Sequence, residues 1–148
     1  MGIKEEPFVE SQSVSVEDPY SFTDPNVFVL SLGVSEVVLS VDVYVKQPQK
    51  TQVTLDSMVQ IAVPGIGGGS PDMFGLTYEI QQNGTTIATI NDEMDFVSVR
   101  RHINFPNFPV LDNNPNIGIN TYDLVCTSTA DATIIIASRS LKATVFPV

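Results

Sequence analysis

The sequence predicts an all-β fold: an eight-stranded antiparallel jelly-roll sandwich with an extended N-terminal arm. Three observations carry this expectation. Apolar and polar residues alternate in one run after another, the period-two signature of half-buried strands. Clusters of Gly, Pro, Asn and Asp punctuate the runs as turns. No window holds a sustained 3.6-residue apolar period. About eight such runs suit two four-stranded sheets joined by Greek-key connections.

Residues 1–25 stand apart as an extended acidic connector arm, and residues 26–148 form the jelly-roll domain. The arm holds six acids, the single base Lys4, and prolines at 7, 19 and 25. Such a composition builds no core of its own. Yet Ser13-Val14-Ser15-Val16 alternates, and Phe8 and Val9 are apolar. The arm therefore reads as a segment that becomes a strand when it meets a sheet edge.

The body begins with the apolar run Val27–Leu32, closed by Gly33. Val37, Leu39, Val41, Val43 and Val45 then share one strand face, with Ser40 and Asp42 opposite. Gln47-Pro48-Gln49 breaks that strand. Val53, Leu55, Val59, Ile61 and Val63 make the next face, ended by Pro64. Gly65 to Pro71 is a glycine-rich loop. Phe74, Leu76, Tyr78 and Ile80 alternate up to Asn83-Gly84, a type I′ hairpin signal because both central positions need positive φ. Thr85–Ile90 is the return strand, and Asn91-Asp92-Glu93 is expected to turn the chain. Val97, Val99, Ile103 and Phe105 mark a strand bearing Arg100, Arg101 and His102. Residues 106–116, with three prolines and four asparagines, read as a loop. Tyr122, Leu124 and Cys126 point inward in the next strand. Ala130-Asp131-Ala132 turns into a last strand from about Thr133 to Phe146.

Charge and composition exclude several functions. The 148-residue chain carries a net charge of −10, and half of it sits in the arm. That charge argues against nucleic acid, whose binders place cations on phosphates, and against anionic membrane surfaces. No apolar stretch is long enough to span a bilayer, so membrane insertion is not expected. The first residues show no secretory-signal pattern, so export by one is not expected. One Cys excludes an internal disulfide framework, and one His leaves little for imidazole catalysis.

The remaining chemical candidates read as structure. His102 has no Gly-x-Ser-x-Gly nucleophile turn to serve. The Gly65–Gly69 loop lacks the Lys-Ser/Thr of a phosphate cradle. Residues 92–95 hold three carboxylates, but without the spacing or central glycine of a calcium loop, and read as a solvated acidic turn. Cys126 reads as a small buried hydrophobe. The chain is thus expected to be no enzyme and to bind no metal or cofactor.

Gly118-Ile119-Asn120-Thr121-Tyr122-Asp123-Leu124, followed by Ala137-Ser138-Arg139-Ser140-Leu141-Lys142-Ala143, resembles the last two strands of C1q/TNF-like jelly rolls, including spore-surface members. The layout of connector plus single jelly roll also resembles the endospore appendage pilins of Bacillus-type bacteria. That resemblance implies a structural subunit made in the mother cell without a signal peptide. It further implies a spore-surface location and an open helical homo-oligomeric fibre, with an anchoring or tip protein as a further partner. Subunits of that family join by strand complementation. Phe8, Val9, Val14 and Val16 would here be the arm residues that enter a neighbour, with Arg100, Arg101 and Arg139 as charge partners. Disulfide-linked members carry Cys in the connector; this arm has none, so the joint would be non-covalent. A trimeric C1q/TNF-like surface module and a viral or phage jelly roll are the alternatives.

Overall fold

The computed structural model describes residues 7–64, 71–97, 102–104, 109–130 and 132–147. Ten strands are present among them: β1 (Phe8–Val14), β2 (Phe28–Leu30), β3 (Ser35–Val45), β4 (Thr51–Val63), β5 (Pro71–Gln82), β6 (Thr85–Val97), β7 (His102–Asn104), β8 (Val110–Asp112), β9 (Gly118–Ser128) and β10 (Ile134–Pro147). One sheet runs β1-β10-β4-β7, with β2 also on β10 and β8 also on β4; the other runs β3-β9-β5-β6. Every pairing is antiparallel.

The registers reduce ten strands to eight lanes. β4 occupies one edge of β10 along most of its length, so β1 and β2 must share the other. β2 takes Ile134–Ile136 and β1 takes Arg139–Val145. In the same way β7 and β8 lie end to end along the free edge of β4. The lane order β2/β1-β10-β4-β7/β8 against β3-β9-β5-β6 is that of a jelly roll. The expected eight-strand jelly roll is therefore the fold, with two outer lanes each divided between two short strands.

The core lies between the sheets. Val41, Val43 and Val45 of β3, Val53 to Val63 of β4 and Leu76, Tyr78 and Ile80 of β5 are buried at alternate positions. Tyr122, Leu124 and Cys126 of β9 meet them, together with Ile134, Ile136, Leu141, Ala143 and Val145 of β10. Ser57 holds an inward position among the apolar residues of β4 and is satisfied by the Tyr78 hydroxyl, which donates to its Oγ. Tyr122 donates to Asp112 Oδ2 at 2.6 Å and so bonds β9 to β8 across the sandwich. The β5–β6 turn is the expected one, with φ 49° at Asn83 and 84° at Gly84. Gly75 is required for a different reason: a Cβ there would lie 2.5 Å from Thr129 Oγ1 and 3.0 Å from Ala130 Cβ.

Three local expectations are corrected. Asn91-Asp92-Glu93 does not turn; it continues β6, paired with Thr77, Leu76 and Gly75. Residues 106–116 are not all loop, because Val110–Asp112 pairs with β4 as β8. Val37 does not share the inward face of β3: a register shift between Val37 and Leu39 buries Val38 instead and leaves Val37 49% exposed.

The sandwich has two ends. The connections β3–β4, β5–β6 and β8–β9 gather at one, called the Pro48 end after its 3-10 turn Pro48–Lys50. The connections β2–β3 and β9–β10 meet at the other, the Gly33 end, where the Gly33 amide donates to the Ser128 carbonyl.

Candidate functional site: the seat of the first strand

β1 lies on its own chain, in the half-lane that β2 leaves open. Phe8 faces Val145 and Val14 faces Arg139, with five paired positions between. Its side chains are nearly all exposed; Phe8 and Val9 are 44% and 52% accessible, and Val14 alone packs partly on the core. The ladder of backbone bonds therefore holds β1 more than apolar burial does. One side chain crosses to the facing sheet: Gln12 Oε1 accepts the Ser40 amide of β3 at 3.1 Å.

Beyond β1 the chain is gripped more firmly. Val16 is buried. Its amide donates to Ser138 Oγ at 2.8 Å, and that hydroxyl donates to the Val16 carbonyl at 3.2 Å. Asp18 and Asp24 accept the amides of Tyr20 and Asn26, forming Asx turns that bring the chain back to β2. Phe8 and Val9 thus sit on the surface, whereas Val14 and Val16 serve as the inner anchor.

Arg139 closes this site from within. It is 6% exposed. Nε donates to the Val38 carbonyl at 2.9 Å, and Nη1 to the carbonyls of Asn26 and Ala137, both at 2.7 Å. Its guanidinium lies 5.0 Å from the centre of the Phe28 ring. Burial pushes its pKa down. One cation so joins the facing sheet edge, the return of the arm and the bulge in its own strand. Arg139 meets the chain's own carbonyls and is not presented to solvent. Arg100 and Arg101 lie outside the described residues, as do Gly65–Gly69 and Phe105–Phe108.

The outer side of the β1–β10–β4 seam is loosely filled. A hollow of about 430 Å³ runs along it, bordered by Ser11, Ser13, Asp56, Met58, Pro109 and Lys142. Its border mixes the apolar Met58 and Pro109 with serine hydroxyls and the cross-strand neighbours Asp56 and Lys142.

Among the described residues no group of three or more His, Cys, Asp or Glu is placed to hold a metal, and no helix is long and apolar enough to cross a membrane. Cys126 is free and buried, and desolvation pushes its thiol up to about 12. Burial likewise raises the pKa of Tyr78 and Tyr122. All three groups are folded in their neutral forms, and the unfolded chain ionises them more readily. Stability is thus expected to be intact below about pH 9 and to fall as pH rises from there towards 12. Denaturant titrations across that range check it. At pH 8 a thiol reagent should label Cys126 only after unfolding.

Sequence reasoning missed Asn120. It is fully buried on β9. Its Oδ1 accepts from Gln82 Nε2 at 3.0 Å and from the Asn116 amide at 2.9 Å, and its Nδ2 donates to the Asn116 carbonyl at 2.7 Å. A polar residue at an inward position, between Gly118 and Tyr122, was the available signal.

No family model matches the chain, and no curated protein is matched. Among solved structures the chain is similar to VP2 of the infectious bursal disease virus subviral particle. That match has 18% identity and a TM-score of 0.49, and covers 95% of this chain and 33% of the other. Dimeric latent PorU of Porphyromonas gingivalis matches at 10% identity and TM-score 0.49, over 98% of this chain and 13% of that one. A family 35 carbohydrate binding module of Clostridium thermocellum matches at 14% identity and TM-score 0.31, over 91% and 90%. The chain spans a third or less of the PorU and VP2 chains it resembles.

Proposed function

We propose that the protein is a structural subunit that joins copies of itself by exchange of β1. The observation that carries this is the half-lane beside Arg139–Val145 of β10, filled by an exposed strand held mainly through its backbone. A strand that pairs so within its own chain pairs equally well with the same edge of a neighbour. The exchange is heterologous: each subunit gives a strand and receives one, which builds an open series. The Val16–Ser138 clasp marks where the donated segment stops. The arm holds no cysteine, so the joint is backbone ladder and geometry. The spore-surface fibre that the sequence resembles is the setting proposed for such a subunit, and this role asks for no catalysis.

The test uses a chain lacking residues 2–14 and a labelled peptide of residues 7–17. The peptide should bind the truncated chain, by fluorescence anisotropy, and bind the full chain far less. Negative-stain microscopy should show assemblies from the full chain that the truncated one does not form. A truncated chain that assembles normally, or a folded one that ignores the peptide, would sink the proposal.

A further inference from the structure

Asn83 is the one asparagine of the chain that precedes a glycine. That neighbour makes its side-chain amide reactive. Gly84 has no Cβ to shield its backbone nitrogen or to restrict its backbone angles. Once deprotonated, this nitrogen can attack Asn83 Cγ. A Cγ–N bond forms, the Cγ–Nδ2 bond breaks, and ammonia leaves. The product is a cyclic succinimide. Water opens it at the side-chain carbonyl to give aspartate, or at the main-chain carbonyl to give isoaspartate. No oxidant, metal or cofactor is needed.

The fold ties this amide down. Its Oδ1 accepts the Thr121 amide of β9 at 2.8 Å, and its Nδ2 donates to Asn120 Oδ1 at 3.4 Å. The Asn83 backbone amide donates to the Thr121 carbonyl at 2.8 Å. An amide pinned to β9 through both its oxygen and its nitrogen has no freedom to turn its face to the Gly84 nitrogen. Solvent is not the barrier, because Asn83 and Gly84 are both exposed. The buried neighbour sets what conversion would do. Asn120 takes the Asn116 amide on Oδ1 and gives Nδ2 to the Asn116 carbonyl. A backbone donor and acceptor cannot exchange roles, so Asn120 always presents Oδ1 to position 83. A carboxylate at position 83 has no donor to offer that oxygen and sets a charge against it. Isoaspartate also lengthens the backbone of a two-residue turn whose shape fits the twist of its strands.

We infer that Asn83 is a covalent modification site gated by the fold. It stays an asparagine while the β5–β6 hairpin is closed on β9, and it converts to aspartate or isoaspartate when the hairpin opens. The change is one-way, because ammonia is lost and water takes its place. A converted chain cannot rebuild the tie between this turn and Asn120, so each opening that leads to reaction leaves a permanent mark. The gate does not depend on exchange of β1, which uses the other sheet.

Site-resolved mass spectrometry at mildly alkaline pH tests it, on the full chain and on a free peptide of residues 79–88. The peptide should convert at Asn83, with isoaspartate as the major product. The folded chain should convert about tenfold or more slowly, because only the open fraction of the hairpin reacts. Denaturant should bring the chain to the rate of the peptide. Asn120→Ala removes the acceptor for Nδ2 and should speed conversion several-fold at a temperature where circular dichroism shows that variant folded. Asn83→Asp, made directly, should melt below the parent. A folded chain that converts as fast as the peptide, or a folded Asn120→Ala chain no faster than the parent, would overturn the gate. An Asn83→Asp chain as stable as the parent would overturn the proposed consequence.

Discussion

Replacing Arg139 by alanine is expected to lower the unfolding free energy by about 3–5 kcal/mol, the scale of breaking a buried charged contact. The substitution strips the donor from three buried or half-buried carbonyls at once: Val38, Asn26 and Ala137. It also removes the cation from the Phe28 ring. For a domain of this size such a loss lowers the melting temperature by about 10 °C. Arg139→Lys should recover only part of it. An ammonium keeps the charge but lacks the planar fork that reaches carbonyls in different directions. Hydrogen exchange gives a sharper reading. The amides of residues 14–27 should lose protection before those of β4 and β9, because Asn26 is tied to the body through this side chain. Uniform loss of protection would contradict that role.

The second large effect is expected at the Pro48 end. Asn120→Ala should cost about 2–4 kcal/mol, since several buried hydrogen bonds lose their partner together. The Asn116 amide and carbonyl and the Gln82 amide group all depend on Asn120. Asn120→Asp should be nearly as costly at neutral pH. Its side chain keeps the acceptor for Gln82 and the Asn116 amide, yet cannot donate to the Asn116 carbonyl, and it buries a charge. Thermal unfolding of the two variants checks this. An Asn120→Asp variant as stable as the parent would show that the donated bond contributes little.

Much of this fold is legible locally. The alternation through Val53–Val63 and the Asn83-Gly84 turn need no distant information, because strand period and positive φ are properties of the segment itself. β2, β7 and β8 are different. Each has three residues, too few to show a period, and each exists because β10 or β4 offers an unpaired edge far away in sequence. Residues 91–93 look like a turn by composition, yet their pairing with β5 keeps them extended. Arg139 is the residue whose position the local pattern hides most. A charge in a strand ordinarily points outward, and strict alternation from Ile134 and Ile136 puts residue 139 outside. The register shift between Ile136 and Arg139 reverses the parity and sends the guanidinium inward. The sequence carries a trace of this: the apolar positions change from even at 134 and 136 to odd at 141, 143 and 145. The arm shows the same division. Its capacity to pair is visible in Val14 and Val16, but the edge it finds lies more than a hundred residues away.

The central place of β10 also sets a schedule. β10 leaves the ribosome after every other strand of the domain, yet β1, β2 and β4 all pair with it. During synthesis β3, β5, β6 and β9 are all made before β10, the strand that unites the other sheet. Until β10 emerges, the nascent domain has a first strand and not the β10 edge that receives it. Under the proposed strand exchange, a chain can accept a neighbour's first strand only once its own β10 has been made.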